Sequence, residues 1–283
     1  MQIGIMGLGK MGLNMARRLL ADQHEVIGLD HHPENREELV AAGGRATDTL
    51  ESLVAALTGS RMVWLMIPAG APTEEALARL QGLLGRGDLV IEGGSTFYRD
   101  SIRRAETFAA LGIDYLDAGT SRGIWGLKSS DCLTVEGPEA AFRRAEPVFA
   151  ALAPPEGYRH VGPSGAGYFA KMVHNGIEYG LPETYAEGFE LRNAAPFALD
   201  LPDLARLWNQ DSVARSWLLE RAGEALANPG FGGISDYVED SGEGRWTVTE
   251  AIERDVPARV ITLALLNRAA LRREFGGHRV HAS

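Results

Sequence analysis

The 283-residue sequence holds a single cysteine, Cys132, so no disulfide can form within the chain, and we expect a reducing, cytoplasmic setting. It lacks any run of about 18 apolar residues, so no membrane-spanning helix is expected. It opens Met1-Gln2-Ile3-Gly4 straight into a strand-like run, with no sign of a signal peptide. Positive charge is scarce: 28 lysines and arginines stand against 38 carboxylates, a net charge of -10. That balance disfavours nucleic acid and anionic membranes as partners. An anionic metabolite would need a local cluster of cations. There is no His-rich or Cys-rich ligand spacing, so no catalytic metal is expected. Repeats and low-complexity segments are absent too. The remaining composition, 45% hydrophobic and 23% charged, is that of an ordinary globular protein.

The first half alternates short apolar runs with amphipathic stretches. Strands are expected at Gln2–Met6, Glu25–Asp30, Met62–Ile67, Leu89–Glu92, Tyr115–Ala118 and Leu133–Val135. Helices are expected at Gly12–Ala21, Glu34–Ala42, Leu50–Leu57, Thr73–Leu84, Asp100–Leu111 and Pro138–Leu152. This alternation predicts an α/β, doubly wound parallel sheet of Rossmann type. Beyond Pro154-Pro155 and the glycine-rich Gly162–Gly167, the pattern becomes helical almost to the end. It covers Phe169–Gly180, Glu183–Asn193, Leu204–Trp208, Trp217–Leu226 and Ala258–Arg273, with Pro182 expected to bend or split the first pair. Two domains follow: a dinucleotide-binding domain over 1–160 and an all-helical substrate and oligomerisation domain over 161–283.

Gly7-Leu8-Gly9-Lys10-Met11-Gly12 is a G-x-G-x-x-G loop between a strand and a helix. Gly7 permits the tight turn, Gly9 lets the backbone approach a pyrophosphate, and Gly12 lets helix pack on strand. The helix N-terminus turns unpaired N–H groups toward phosphates. Asp30 ends the next strand, 18 residues after Gly12, where a carboxylate accepts hydrogen bonds from ribose hydroxyls and repels a 2′-phosphate. NAD is therefore expected as cofactor. His31, His32 and Arg36 keep NADP as the alternative. Ile67-Pro68, closing the third strand run, and Ser95 join the expected cofactor set.

Lys171-Met172-Val173-His174-Asn175-Gly176-Ile177-Glu178-Tyr179 carries the densest chemistry. At 3.6 residues per turn, Lys171, His174, Asn175, Glu178 and Tyr179 share one face, while Met172, Val173 and Ile177 are left to pack. A base, an acid and donors for a polar ligand thus line one stripe. A solvated face with a Lys–Glu pair is the plainer alternative.

Three segments resemble the 6-phosphogluconate dehydrogenase family in its short bacterial form, within the β-hydroxyacid dehydrogenase superfamily. They are the glycine loop at 7–12, Asp117-x-Gly119-x-Ser121, and Lys171-x-x-His174-Asn175-Gly176-Ile177-Glu178-Tyr179. The resemblance extends through Glu239–Thr247 and Phe275–His278. It implies oxidation of 6-phosphogluconate at C3 and loss of CO2 to give ribulose 5-phosphate, a pentose phosphate pathway step. Lys171 is then the base that takes the C3 hydroxyl proton, which requires a neutral amine. Glu178 is the acid that protonates C1 of the enediol. His174, Asn175 and Ser121, with Arg122 and Gly123 beside it, position the sugar acid. Tyr179 and Arg268 reach its phosphate, with Arg272 and His278 supplied by a tail from a neighbouring subunit. A homo-oligomer, dimer or tetramer, follows.

The chain departs from the family pattern in places. Glu92-Gly93-Gly94-Ser95-Thr96 stands for Asp-Gly-Gly-Asn-Ser, with Ser95 replacing an asparagine near nicotinamide and substrate. Arg122 replaces a glycine; it would be strained at positive φ, or would pair with a substrate carboxylate. Ser241 and Glu243 stand where long-form enzymes place a lysine and a threonine on the phosphate. The segment from Arg268 to Phe275 is shorter than in short-form relatives by roughly four helical turns. Two other readings stay open: a dehydrogenase of another hydroxy acid without decarboxylation, and a nucleotide-binding sensor without turnover.

Overall fold

A computed structural model describes residues 1–121, 132–234, 237, 238, 240 and 242–275. Contacts group the chain into two compact units, Met1–Lys171 and Met172–Ser283.

The first unit is built on eight described strands: β1 Gln2–Met6, β2 Glu25–Leu29, β3 Arg45–Thr47, β4 Met62–Leu65, β5 Leu89–Glu92, β6 Asp114–Ser121, β7 Cys132–Glu136 and β8 Tyr158–Gly162. They form one sheet in the order β3-β2-β1-β4-β5-β6-β7-β8. The crossovers are α1 Lys10–Ala21, α2 Pro33–Ala41, α3 Leu50–Ala56, α4 Ala71–Leu83, α5 Tyr98–Ala110 and α6 Glu139–Leu152. Every residue of β4 and β5 is buried, because a parallel sheet covered by helices on both faces leaves neither face to water. Two apolar clusters fill the two faces. Trp64, Ile91, Leu116 and Phe149 lie in one, and Val63, Val90, Leu80 and Phe108 in the other.

Three features depart from the expected pattern. β6 and β7 pair antiparallel. The 10 residues between them, 122–131, are too few for the crossover of about a dozen that a parallel pair needs. β3 and β8 are additions to the expected strands. β3 is a three-residue edge strand, and β8 is a half-exposed edge strand whose sequence Tyr-Arg-His-Val-Gly gives no apolar run.

The second unit is helical: α7 Ala166–Asn193, in which the boundary between the units falls, α8 Leu201–Trp208, α9 Trp217–Ala227, α10 Glu243–Glu253 and α11 Arg259–Phe275. Pro182 does not split α7, which runs continuously for 28 residues. Its ring removes only the N–H that would have bonded the carbonyl of Glu178. α10 is a further addition: Gly244 and the β-branched Thr247, Val248 and Thr249 mask its period.

Candidate functional site

The sheet order reverses between β1 and β4, and a cleft of about 680 Å³ opens beyond the strand ends there. Ligands of doubly wound sheets bind at this point. Gly7, Gly9, Lys10, Met11, Gly12, Asp30, His31, Ile67, Pro68 and Ser95 line it, joined by His32, Asn35, Met66, Gly93 and Gly94. Leu8 is the exception among the expected cofactor residues. Its side chain is fully buried in the core, and only its N–H faces the loop, donating to Asp30 Oδ2 at 2.6 Å.

The loop geometry suits a pyrophosphate. Gly7 has φ +96°, which favours glycine. A Cβ on Gly12 would stand 2.0 Å from the Gly7 carbonyl oxygen, whereas one on Gly9 would meet nothing within 4 Å. Gly9 thus leaves open backbone at the N-terminus of α1, whose first N–H groups have no helical partner. Asp30 ties the loop to the next turn: its second oxygen accepts from His32 N–H at 2.8 Å. Each carboxylate oxygen retains a lone pair for a ribose hydroxyl. Arg36, a candidate cation for a 2′-phosphate, is engaged elsewhere. It donates to the Asp30 carbonyl at 2.6 Å and pairs with Asp48 at 3.2 Å. Ser95 sits at φ +56°, a left-handed conformation uncommon for serine.

β6 supplies the wall beside Lys171. Residues 117, 119 and 121 lie on one face of the strand. Ser121 Oγ accepts from Lys171 Nζ at 2.9 Å. A Cβ on Gly119 would come within 3.1 Å of the Lys171 Cβ, so glycine there admits the lysine stem. Asp117 is fully buried, and burial pushes its carboxyl up to about 7 against the Gly165 N–H that favours its charge. Burial also raises Glu92 and Glu136, the latter helped by the charge of Asp117. None of these three acids belongs to the expected site. In the sequence each closes or interrupts an apolar strand run, and Asp117 and Glu92 also fall within segments that resemble the family.

Farther along α7, His174 Nδ1 lies 3.1 Å from Asn175 Oδ1 and 3.8 Å from Glu178 Oε2. Both side chains are open to water, 52% exposed for His174 and 44% for Glu178. Met172 is buried as expected. Ile177 is not: it is 52% exposed, because nothing in its own unit covers that side of the helix. Tyr179 and Arg268 come together, the guanidinium 4.0 Å from the ring centroid. Gly244 permits this, since a Cβ there would stand 2.3 Å from the Tyr179 ring. Arg272 is committed within its own chain, 3.1 Å from Asp240 and donating to the Val238 carbonyl at 3.5 Å. Arg272 lies in the last turns of α11, within reach of Asp240. Arg122, Gly123, Ser241 and His278 lie outside the described residues. Among the described residues no group of three or more His, Cys, Asp and Glu could hold a metal ion, and no helix is long and apolar enough to cross a membrane.

A Rossmann sheet with a glycine loop at its switch point, followed by a helix bearing a lysine held by a serine, defines a dinucleotide-dependent dehydrogenase. Residues 2–162 match the NAD binding domain of 6-phosphogluconate dehydrogenase, and residues 167–282 match its C-terminal domain. The chain belongs to the 6-phosphogluconate dehydrogenase family. It is 39% identical to YqeC of Bacillus subtilis strain 168, provisionally named a 6-phosphogluconate dehydrogenase, over 98% of each chain. It is 41% identical to the NAD(+)-dependent, decarboxylating 6-phosphogluconate dehydrogenase of Haloferax volcanii, over 95% of this chain and 90% of that one. Plasmodium falciparum 6-phosphogluconate dehydrogenase, solved apo, with NADP+ and with 6-phosphogluconate, superposes with a TM-score of 0.88 at 26% identity. That match covers 97% of this chain and 62% of the longer parasite chain.

Proposed function

We propose that the protein oxidises 6-phosphogluconate with NAD and decarboxylates the product to ribulose 5-phosphate and CO2. One observation carries the reading: Lys171 Nζ is held 2.9 Å from Ser121 Oγ, on a helix whose same face continues through His174, Asn175, Glu178 and Tyr179. The working domains are read as 1–160 for the dinucleotide and 161–283 for substrate and assembly.

NAD, when bound, supplies the hydride acceptor. Gly9, the first turn of α1, Asp30 and Ser95 would hold it, and the open Gly9 backbone and the spare lone pairs of Asp30 fit that role. Lys171 as a neutral amine takes the C3 hydroxyl proton as the hydride leaves. The ammonium so formed donates to the new C3 carbonyl, drawing in the electron pair released as the C1–C2 bond breaks and CO2 departs. Glu178 then delivers a proton to the carbon that lost CO2 as the ketone re-forms, and the proton left on Lys171 returns through solvent to the emptied Glu178 carboxylate, which resets both groups. Ser121 orients Lys171, while His174 and Asn175 bind the sugar acid. The phosphate is read as lying by Tyr179 and Arg268. Asp30, with Arg36 already paired, favours NAD over NADP.

The assembly is read as a homo-oligomer, supported by the exposed apolar residues Val260, Leu263 and Leu266 on α11. The single cysteine supports a cytoplasmic setting. The test is steady-state NADH formation with 6-phosphogluconate, with CO2 release followed in parallel. Equal rates of both are expected, with both lost in Lys171→Met. NADH without CO2 would instead favour a simple hydroxyacid dehydrogenase, and no NADH at all would overturn the proposal.

A further inference from the structure

The helix that carries Lys171 starts on an arrangement that the reaction chemistry does not itself require. Glu92, Asp117 and Glu136 stand side by side across three neighbouring strands, Glu92 in register with Asp117 and Asp117 with Glu136. All three are fully buried. Burying one carboxylate is costly, and burying three on neighbouring strands more so, unless each finds hydrogen-bond donors.

Glu92 takes its donors from Gly94 N–H, the Thr96 hydroxyl and Arg104, whereas those of Asp117 and Glu136 come from the first turn of α7 and the residue before it. Gly165 N–H donates to Asp117 Oδ2 at 3.0 Å, and Tyr168 N–H to Glu136 Oε1 at 2.8 Å. The Tyr168 hydroxyl reaches across to the Glu92 carbonyl at 2.7 Å. These N–H groups sit at the helix N-terminus, where the backbone dipoles present positive charge to the acids. Gly167 fits the same contact: a Cβ there would stand 1.6 Å from Glu136 Oε2. The glycine at 167 is therefore explained by the Glu136 carboxylate approaching the helix start, and the one at 165 by its φ of +90° and its closeness to Ile102 and the Tyr98 carbonyl.

Lys171 lies one turn beyond Tyr168, and a helix is stiff over one turn. Its stem rests on Gly119 and its amine on Ser121. Those two residues share the β6 face with Asp117, so one strand fixes both the start of the helix and the tip of its lysine.

We propose that Asp117 and Glu136 are positioning residues, two buried carboxylates that clamp the first turn of α7 and so fix Lys171 against Ser121. The proposal rests on the reading of Lys171 as the base. Removing the acceptors with little change in bulk, by Asp117→Leu and Glu136→Met, should lower kcat on the order of 10²-fold if Lys171 shifts by about an ångström. The affinity for NAD, measured by calorimetry, should stay unchanged. Asp117→Asn and Glu136→Gln keep an acceptor oxygen and should retain most of kcat.

Should the apolar variants fail to fold, the Gly167 contact gives a second route. Gly167→Ala should lower kcat by pushing the helix off Glu136. Glu136→Asp, one methylene shorter, should restore activity when combined with it. Strictly additive losses in that pair, or wild-type kcat in a folded Asp117→Leu or Glu136→Met variant, overturn the clamp. Turnover surviving in Lys171→Met overturns the base assignment alone. The clamp is then judged by how fast an amine-acylating reagent modifies Lys171, read by mass spectrometry. That rate should change in the Asp117→Leu and Glu136→Met variants, and an unchanged rate rejects the proposal.

Discussion

The two units treat their apolar side chains in opposite ways. The first closes two large clusters against the faces of its sheet and buries three acids besides. In the second, the apolar residues that are buried, among those described, are Met172, Phe189, Ala205, Leu219, Ala264 and Leu265. Leu191, Phe197, Leu207, Ile252, Val260, Leu263 and Leu266 stand largely exposed. The pocket of about 400 Å³ between Pro182, Phe189, Leu201 and Leu226 is apolar throughout most of its lining. The first unit buries most of its large apolar side chains within itself. The second leaves hydrophobic stabilisation unrealised that a second copy of the chain can supply.

The largest effect that would break this contrast is at α11. If the proposed homo-oligomer packs through α11, Val260→Asp with Leu263→Asp should dissociate it, raising its dissociation constant by at least about 10³-fold, or roughly 4 kcal/mol. Sedimentation velocity over a dilution series checks it, and an unchanged sedimentation coefficient would remove α11 from the interface.

A core truncation in the first unit should cost nearly as much yet ignore protein concentration. Phe149→Ala, which empties space beside Trp64 (ring centroids 5.7 Å apart), should lower stability by about 3–5 kcal/mol in urea unfolding. A cost that depends on concentration would mean that the first unit also leans on assembly.

Next comes pH. Asp117 binds its proton up to about pH 7 in the fold but only to about 3.8 when unfolded. The folded state therefore holds the extra proton between those values, and stability falls as pH rises through that window. The loss should be roughly 4 kcal/mol and should shrink in Asp117→Asn, as read from urea midpoints between pH 4 and 8. A wild-type slope in the variant would assign the effect to Glu92 or Glu136 instead.

The smallest effect concerns the cofactor cleft. Asp30→Asn should shift the NADP to NAD ratio of kcat/KM by about tenfold toward NADP, close to 1.4 kcal/mol. Steady-state kinetics with both cofactors checks it. An enzyme that already prefers NADP tenfold would contradict the charge argument.

Legibility follows the same division. In the first unit β1, β2, β4 and β5 can be read because strands buried on both faces leave unbroken apolar runs. Edge strands β3 and β8 carry no such signature. The glycine loop can be read residue by residue, since each glycine answers a local steric demand. Glu136 cannot: its partner, the N–H of Tyr168, lies 32 residues away, and only the folded sheet joins them. On α7 the stripe from Lys171 to Tyr179 is visible by helical spacing, but the exposure of Ile177 is not, because it depends on what else packs there. The resemblance assigns Arg272 to a neighbouring subunit's site; its ion pair with Asp240 joins residues 32 apart and has no signature in the sequence.

Cys132 has a practical consequence. It is exposed and pairs across the strands with Ser121, the residue that holds Lys171 Nζ. A sole accessible thiol gives one labelling position per chain, free of competing sites. A maleimide fluorophore attached there would sit one strand from the residue that holds Lys171 Nζ, and a change in its emission on adding a sugar phosphate would give a binding signal independent of turnover.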